Sequence, residues 1–374
     1  MDEVTNTAEI RRINRSRIFK YIYKADGKTS KKEIAIALDL SLPTVSQNLQ
    51  EMFDENLLCY SGTKASTGGR KPRTISINEN VKYSVGISIT DTEISFSAVD
   101  LKARQIASLT KPIHFEDSND YFIKVEHLLE AFLQTVPESR EKLIGVSITF
   151  PGIVNPKKQM LEFAPTLRMR NKEISRISSF FHDPVHIYND ANARGYAEFW
   201  EHTQENMAYL SVSRGVGGAF FCSGNGYYGD NFRSCEFGHI CVEHDGRECD
   251  CGKRGCLEAY CSIQRISDDL HMTLQDFFDT LARQDRNILC IWSKYLEYLA
   301  IGITCIRNIL DCDIVLGGTL AVYMAPYMPE LKEKVLAHSA FDEDMSYLRL
   351  SNYNTSSACY GAALYNITEY IERV

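Results

Sequence analysis

Nowhere does this chain offer the roughly 18 consecutive uncharged apolar residues that a membrane-spanning helix needs. Its first residues, MDEVTNTAEI, hold neither a basic n-region nor an apolar h-region. The expectation is therefore a soluble, cytoplasmic protein with no membrane partner. A large excess of one charge is also missing: 41 Lys and Arg stand against 49 Asp and Glu, a net charge of −8. The balance is uneven, because residues 1–80 carry 13 basic and 10 acidic side chains while residues 81–374 carry 28 and 39. Only the N-terminal segment is suited by charge to approach nucleic acid.

Cysteine, by contrast, is plentiful, with 12 in 374 residues. In a reducing compartment clustered cysteines read as metal ligands and scattered ones as small buried hydrophobes, not as a disulfide framework. The stretch ECDCGKRGCLE packs Cys249, Cys251 and Cys256 together, and His239 stands ten residues before Cys249. One imidazole and three thiolates complete the four donors of a closed tetrahedral site, which points to structural zinc rather than a catalytic metal with an open position. Gly252 and Gly255 allow the tight turns that such convergence needs.

The length suits two to three domains, and the texture changes near residue 80. In EIRRINRSRIFKYIYKADG the apolar residues Ile10, Ile13, Ile18, Tyr21 and Ile22 recur at helical spacing up to Gly27. SKKEIAIALDL follows with Ser30 and Glu33 at capping-box spacing, and SLPTVSQNLQEMFDENLL gives a third helix capped by Ser41, with Pro43 in its first turn. A plain three-helix bundle fits these helices equally well. LLCYSGTKASTGGRKPRTISI then adds a strand, a Gly-rich loop and a strand, which favours a winged helix-turn-helix over residues 1–80. With Val45, Leu49 and Met52 inward, Pro43, Thr44, Ser46, Gln47 and Gln50 face outward toward a major groove. Lys64, Arg70, Lys71 and Arg73 surround the loop glycines and suit a narrow minor groove.

From VKYSVGISITDTEISFSAVDLKARQI onward, alternating strands separated by helices predict an α/β body. LIGVSITFPGIVN is a strand running into a Pro-Gly turn, and VHIYNDANARGYAEFW is a strand ending at Asn189 and Asp190 before a helix. Carboxylates at strand ends are where α/β proteins place ligands.

The motifs TGGRKP, NDANA, EFGH and CDCGKRGCLE resemble those of the ROK family, which groups sugar-responsive repressors with sugar kinases, and the likeness runs over nearly the whole chain. It implies an actin/hexokinase-like two-lobed fold behind the winged helix. The first lobe is expected over 82–190 plus 356–374, and the second over 191–355 with the zinc site. It also implies sugar-binding roles for Asn189, Asp190, Glu236, His239 and Glu258, whose carboxylates, amide and imidazole match vicinal hydroxyls. His239 then serves zinc through one ring nitrogen and sugar through the other.

Two functions compete. In a kinase Asp190 is the general base, with ATP and magnesium opposite; in a sensor it only binds a hydroxyl. The family's first phosphate turn is Asp-x-Gly-Gly-Thr, and SITDT puts Ser88 at the Asp and Thr90 and Asp91 at the glycines. The second is Gly-Thr-Gly, and SRG puts Arg214 at the Thr; the later pair Gly317 and Gly318 remains. With the phosphate cradle replaced, the expectation is a DNA-binding repressor of carbohydrate genes and not an enzyme, with an ATP-dependent ROK sugar kinase as the alternative. The implied partners are a double-stranded DNA operator, a sugar or sugar phosphate effector, and a second copy in a homodimer or dimer of dimers. Arg214 either recognises an effector phosphate or, as the favoured reading, pairs with Asp91 or Asp230.

Overall fold

The computed structural model describes residues 7–63, 72–201, 205–353 and 357–374. Its first elements are α1 (Thr7–Ala25), α2 (Lys31–Leu38), α3 (Leu42–Asp54), β1 (Leu58–Thr63) and β2 (Arg73–Ile77). Local chemistry sets their ends. Glu33 accepts from the Ser30 backbone N–H and hydroxyl, both at 2.9 Å, as the capping-box spacing predicts. The Ser41 hydroxyl accepts from the Thr44 N–H at 3.2 Å, and Pro43 sits in the first turn of α3, where a missing N–H leaves no bond unmade. Ile18, Phe19 and Ile22 of α1 close on Ile34, Val45, Leu49 and Met52. β1 and β2 pair antiparallel, Leu58 opposite Ile77 and Thr63 opposite Arg73. Lys64, Arg70 and Lys71 lie outside the described residues.

The body continues with β3 (Tyr83–Ile89), β4 (Glu93–Asp100), β5 (Gln105–Pro112), α4 (Asn119–Leu133), β6 (Leu143–Phe150), β7 (Ile153–Asn155), β8 (Met160–Ala164), β9 (Met169–Glu173), α5 (Ile174–Ser178), β10 (Val185–Asn189) and α6 (Asp190–Glu201). After it come β11 (Met207–Val212), β12 (Val216–Cys222), β13 (Asn225–Gly226), α7 (Glu258–Cys261), α8 (Leu274–Ala282), α9 (Arg286–Leu310), β14 (Asp313–Gly317), α10 (Ala321–Met324), α11 (Met328–His338), β15 (Leu348–Leu350) and α12 (Ser357–Arg373). Two five-stranded sheets result, ordered β10-β6-β3-β4-β5 and β13-β12-β11-β14-β15, with a small β7-β8-β9 sheet beside the first. Each large sheet mixes antiparallel hairpins with parallel strands, β3-β6-β10 in one and β11-β14-β15 in the other, and each has its own apolar core.

α9 alone among the described residues is long and apolar enough to cross a membrane. Here Trp292, Tyr295, Leu296, Leu299, Ala300 and Ile303 bury that apolar surface in the core of the second sheet.

The last helix connects distant parts of the chain. α12 packs on β3, β4, β6 and α6, and at Gly361 it passes so close to α6 that a Cβ there would meet the Ala193 carbonyl oxygen at 1.8 Å. Its final turns reach the N-terminal head. Ile367 and Ile371 share one buried cluster with Ile18, Phe19, Ile22 and Leu49. The Ser16 hydroxyl donates to the Glu372 carbonyl at 3.3 Å, and Arg15 Nε donates to the Val374 carbonyl at 3.0 Å. The edge of Tyr23 meets Trp200 of α6, ring centres 6.0 Å apart.

Candidate functional site

β10 ends on Asn189, and Asp190 opens α6, so both polar side chains emerge at the mouth between the two large sheets. The Asn189 amide is fixed: Nδ2 donates to the Gly152 carbonyl of the Pro-Gly turn, and Oδ1 accepts from the Asn192 N–H, each at 2.8 Å. Glu236 and His239 flank a single helical turn after β13, and Glu258 begins α7. Glu258 Oε2 accepts from the Val216 N–H at 2.7 Å, which aims its carboxylate at the start of β12. All five side chains line one cavity of about 280 Å³.

Their charges show that they converge. Burial holds the Asp190 carboxyl above the usual range, with Arg194 at 3.9 Å drawing it partly back. Burial raises Glu236 too; His239 opposes this, and Glu258 and Asp190 add to it. Burial also raises Glu258, against the pull of its Val216 bond. Three carboxyls lining one cavity form a dense acceptor array, suited to a polyhydroxylated neutral ligand and poorly suited to an anion.

The ligand atoms of His239, Cys249, Cys251 and Cys256 all lie within 4.8 Å of one another. Cys251 Sγ and Cys256 Sγ are 3.7 Å apart, and Cys249 Sγ is 3.9 Å from His239 Nδ1. A tetrahedron with metal–sulfur bonds of about 2.3 Å has edges of about 3.8 Å, so the donor set fits zinc in number, chemistry and spacing. Gly255 takes φ +80, and a Cβ there would meet the Glu243 carbonyl oxygen at 1.9 Å, so the turn expected from sequence is obligatory. Burial pushes the Cys249 and Cys256 thiols up, away from the thiolate form that a divalent cation would restore. Nε2 of the same His239 ring lies 3.8 Å from Glu236 Oε2, so the imidazole bridges the thiol cluster and the carboxylate array.

On the opposite side, Arg214 is paired. Its Nε lies 2.9 Å from Asp91 Oδ2 and its Nη2 3.1 Å from Asp268 Oδ2. Asp91 is one of the two expected partners; Asp268 stands in place of Asp230, because the short 3₁₀ turn after α7 brings it to the guanidinium. The Thr90 hydroxyl accepts from the Glu93 N–H at 3.1 Å and closes the SITDT turn on itself. A carboxylate from one turn and a guanidinium from another thus meet as an ion pair, with Ser213 and Gly215 on either side of Arg214 lining the cavity.

In the head, Pro43, Gln47 and Gln50 are exposed on α3 while Thr44 and Ser46 are half-buried. The Ser46 hydroxyl bonds back to the Leu42 carbonyl at 2.6 Å, and Gln50 bonds Asp54 at 2.7 Å. Arg73 is exposed, its guanidinium 3.4 Å above the Tyr60 ring, which itself stacks on Phe53 of α3. Sequence reasoning missed the aromatic side of the cavity: Phe163, Tyr188, Tyr228, Phe232 and Tyr365. The run GYYGDNF, just ahead of EFGH, carries a local signal for two of them; Tyr365, in the last helix, carries none.

Comparisons with known proteins agree with this architecture. A profile described as ROK family matches residues 84–369. The chain is 29% identical over 317 residues to the xylose repressor of Bacillus spizizenii, an alignment covering 82% of each chain. It superposes with a TM-score of 0.79, at 21% identity and over 97% of both chains, on a ROK family transcriptional regulator described as a homolog of the E. coli MLC protein. A ROK hexokinase from Thermus thermophilus superposes with a TM-score of 0.64 at 24% identity, covering 77% of this chain and 99% of that one.

Proposed function

The chain belongs to the ROK family, and from that premise we propose that it is a sugar-responsive transcriptional repressor whose kinase-like cleft senses its ligand and performs no phosphoryl transfer. The observation that carries this is the contrast within one cleft. The hydroxyl-binding set Asn189, Asp190, Glu236, His239 and Glu258 faces a shared cavity, while Arg214 and Asp91 fill the phosphate turns with an ion pair. Asp190 binds a hydroxyl in this reading and is not a working base.

The α1–β2 head is read as a winged helix-turn-helix, α3 entering the major groove of an operator and the wing, with Arg70, Lys71 and Arg73, reaching the minor groove. His239, Cys249, Cys251 and Cys256 hold a structural zinc that braces the sugar site. The first lobe comprises 82–190 with 356–374, the second 191–355, and the chain acts in the cytoplasm as a homodimer or dimer of dimers on paired half-sites. Sugar and operator communicate through α12, which carries Tyr365 at the cavity and Ile367 and Ile371 in the core of the head.

The test is selection of duplexes from a random DNA pool by the full-length protein, then mobility shift with and without a panel of sugars, with γ-phosphate transfer from ATP measured on the same sugars. A selected sequence released by a sugar, with no turnover, is expected; turnover, or no selected sequence, overturns the reading. Gln47→Ala and Gln50→Ala are each expected to weaken operator binding about tenfold while leaving sugar affinity unchanged, since a bidentate base contact is worth about 1–3 kcal/mol. Arg214→Ala is expected to shift affinity for a free sugar and for its phosphate ester equally and by less than about fivefold, as exposed ion pairs contribute only about 0–1 kcal/mol. Calorimetric titration of both ligands checks it; a loss confined to the ester would assign Arg214 the phosphate role.

A further inference from the structure

The cavity has more lining than a single sugar ring uses. Beside the carboxylate array its wall is aromatic, and the rings are continuous with one another. Tyr188 stacks on Tyr365 with centres 4.3 Å apart, the Tyr365 and Tyr228 hydroxyls are 3.2 Å apart, and Tyr228 stacks on Phe232 at 6.4 Å. Both faces of Tyr365 are covered, by Tyr188 and by Tyr196 at 4.3 Å each, so the apolar surface that remains toward the cleft for a ligand to cover belongs to the half-buried rings of Tyr228 and Phe232.

The loop that carries Phe232 is paired with the neighbouring sheet. Arg233, next to Phe232, pairs with Glu162 of β8 at 3.1 Å, and Lys158 pairs with the other oxygen of the same carboxylate at 2.8 Å. The Arg233 bond links the loop after β13 to the small β7-β8-β9 sheet.

A monosaccharide presents a girdle of hydroxyls, which the five-residue polar set engages, and only one small apolar face. The aromatic wall calls for further C–H surface joined to that ring. We propose that the effector is a disaccharide: one ring hydrogen-bonded by Asn189, Asp190, Glu236, His239 and Glu258, the second lying on Tyr228 and Phe232. This rests on the sugar-sensor reading above and adds the size class of the sugar.

The experiment is calorimetric titration of the full-length protein with disaccharides and their own components: xylobiose with xylose, cellobiose and maltose with glucose, and sucrose with glucose and fructose. At least one disaccharide is expected to bind tenfold or more tighter than either component. Phe232→Ala should then weaken that disaccharide about tenfold and leave the monosaccharide unchanged, whereas Phe232→Tyr, which keeps the ring, should hold the affinity. Monosaccharides binding as tightly as their disaccharides throughout, or a preferred disaccharide indifferent to Phe232→Ala, overturns this inference and leaves the sensor reading standing. Failure of every sugar of either size to bind overturns both.

Discussion

A Cys256→Ser variant is expected to fall from about one bound zinc per chain to essentially none, and to lose at least a hundredfold of its sugar affinity. The segment from His239 to Glu258 explains the size of the effect. Between its flanking single turns it has no helix or multi-residue strand, and it is closed by isolated backbone bonds such as Leu257 N–H to Ile240 O and Gly255 N–H to Arg247 O, each at 2.8 Å. Such a segment orders only if something outweighs its conformational entropy, as a four-donor metal site would. Cys249 and Cys256 sit in the same buried cluster as Leu257, Trp292 and Leu299, so losing the cross-link also loosens the second core. The sugar site suffers because it is built on the same atoms: His239 faces Cys249 through Nδ1 and Glu236 through Nε2, and Glu258 follows the last cysteine by two residues. Outer partners of a metal alone are worth about 10–100-fold, and here the ligand itself is removed. Lowering the pH should drive the same loss, since protons compete with zinc for thiolates that burial already disfavours. Metal analysis and sugar titration on the purified variant check both parts; full zinc occupancy, or unchanged sugar affinity, would show that the cluster does not brace the site.

Sequence reaches this site because its chemistry is local. Three cysteines in one short loop, a Glu-x-Gly-His turn and an Asn-Asp pair at a strand end each announce themselves within a few residues; the structure brings the last two to one cavity and joins the cysteines to it through His239. The head is legible for a similar reason: Ser30, Glu33, Ser41 and Pro43 punctuate helices whose inward stripe follows the 3.6-residue period. Ser46 marks where periodicity stops being enough, since an outward-facing serine can spend its hydroxyl on its own helix, as it does on Leu42. What stayed hidden are contacts between residues far apart in the chain. Asp268 comes to Arg214, and Tyr365 reaches Tyr228 across 137 positions. α12 is buried around nearly its whole circumference, so its composition shows a core helix and not which of its faces meets the head.

Replacing Ile371 by alanine is expected to leave both ligands bound yet erase their communication: the factor by which sugar weakens operator binding, about 5–150-fold for a typical coupling free energy, should fall to about twofold or less. A single rigid helix underlies this expectation. Tyr365 stands in the cavity wall, Asn366 is buried and donates to Ser84 at 2.9 Å while accepting from Ser147 at 3.0 Å, and within the next two turns Ile367 and Ile371 enter the core of the head. A displacement at the cavity is therefore delivered to the head with little loss, provided the head's core grips the helix. The junction has room to repack, since a cavity of about 150 Å³ lies between Ile22, Tyr23 and Asp26 of the head and Lys102 and Trp200 of the body. Packed cores on either side of such a junction switch between discrete arrangements and do not deform continuously. Truncating Ile371 removes grip at the end of the helix, at a cost to stability of about 2–5 kcal/mol. Arg15→Ala offers a milder cut, because it releases the Val374 carbonyl and the Glu55 carboxylate without opening the core. Sugar titration, operator binding, and operator binding under saturating sugar, measured on both variants, separate the possibilities. Variants that bind each ligand normally and still release DNA fully would show that the signal bypasses α12, and the coupling would then run through another head–body contact, such as Tyr23 with Trp200 or Asp26 with Lys102.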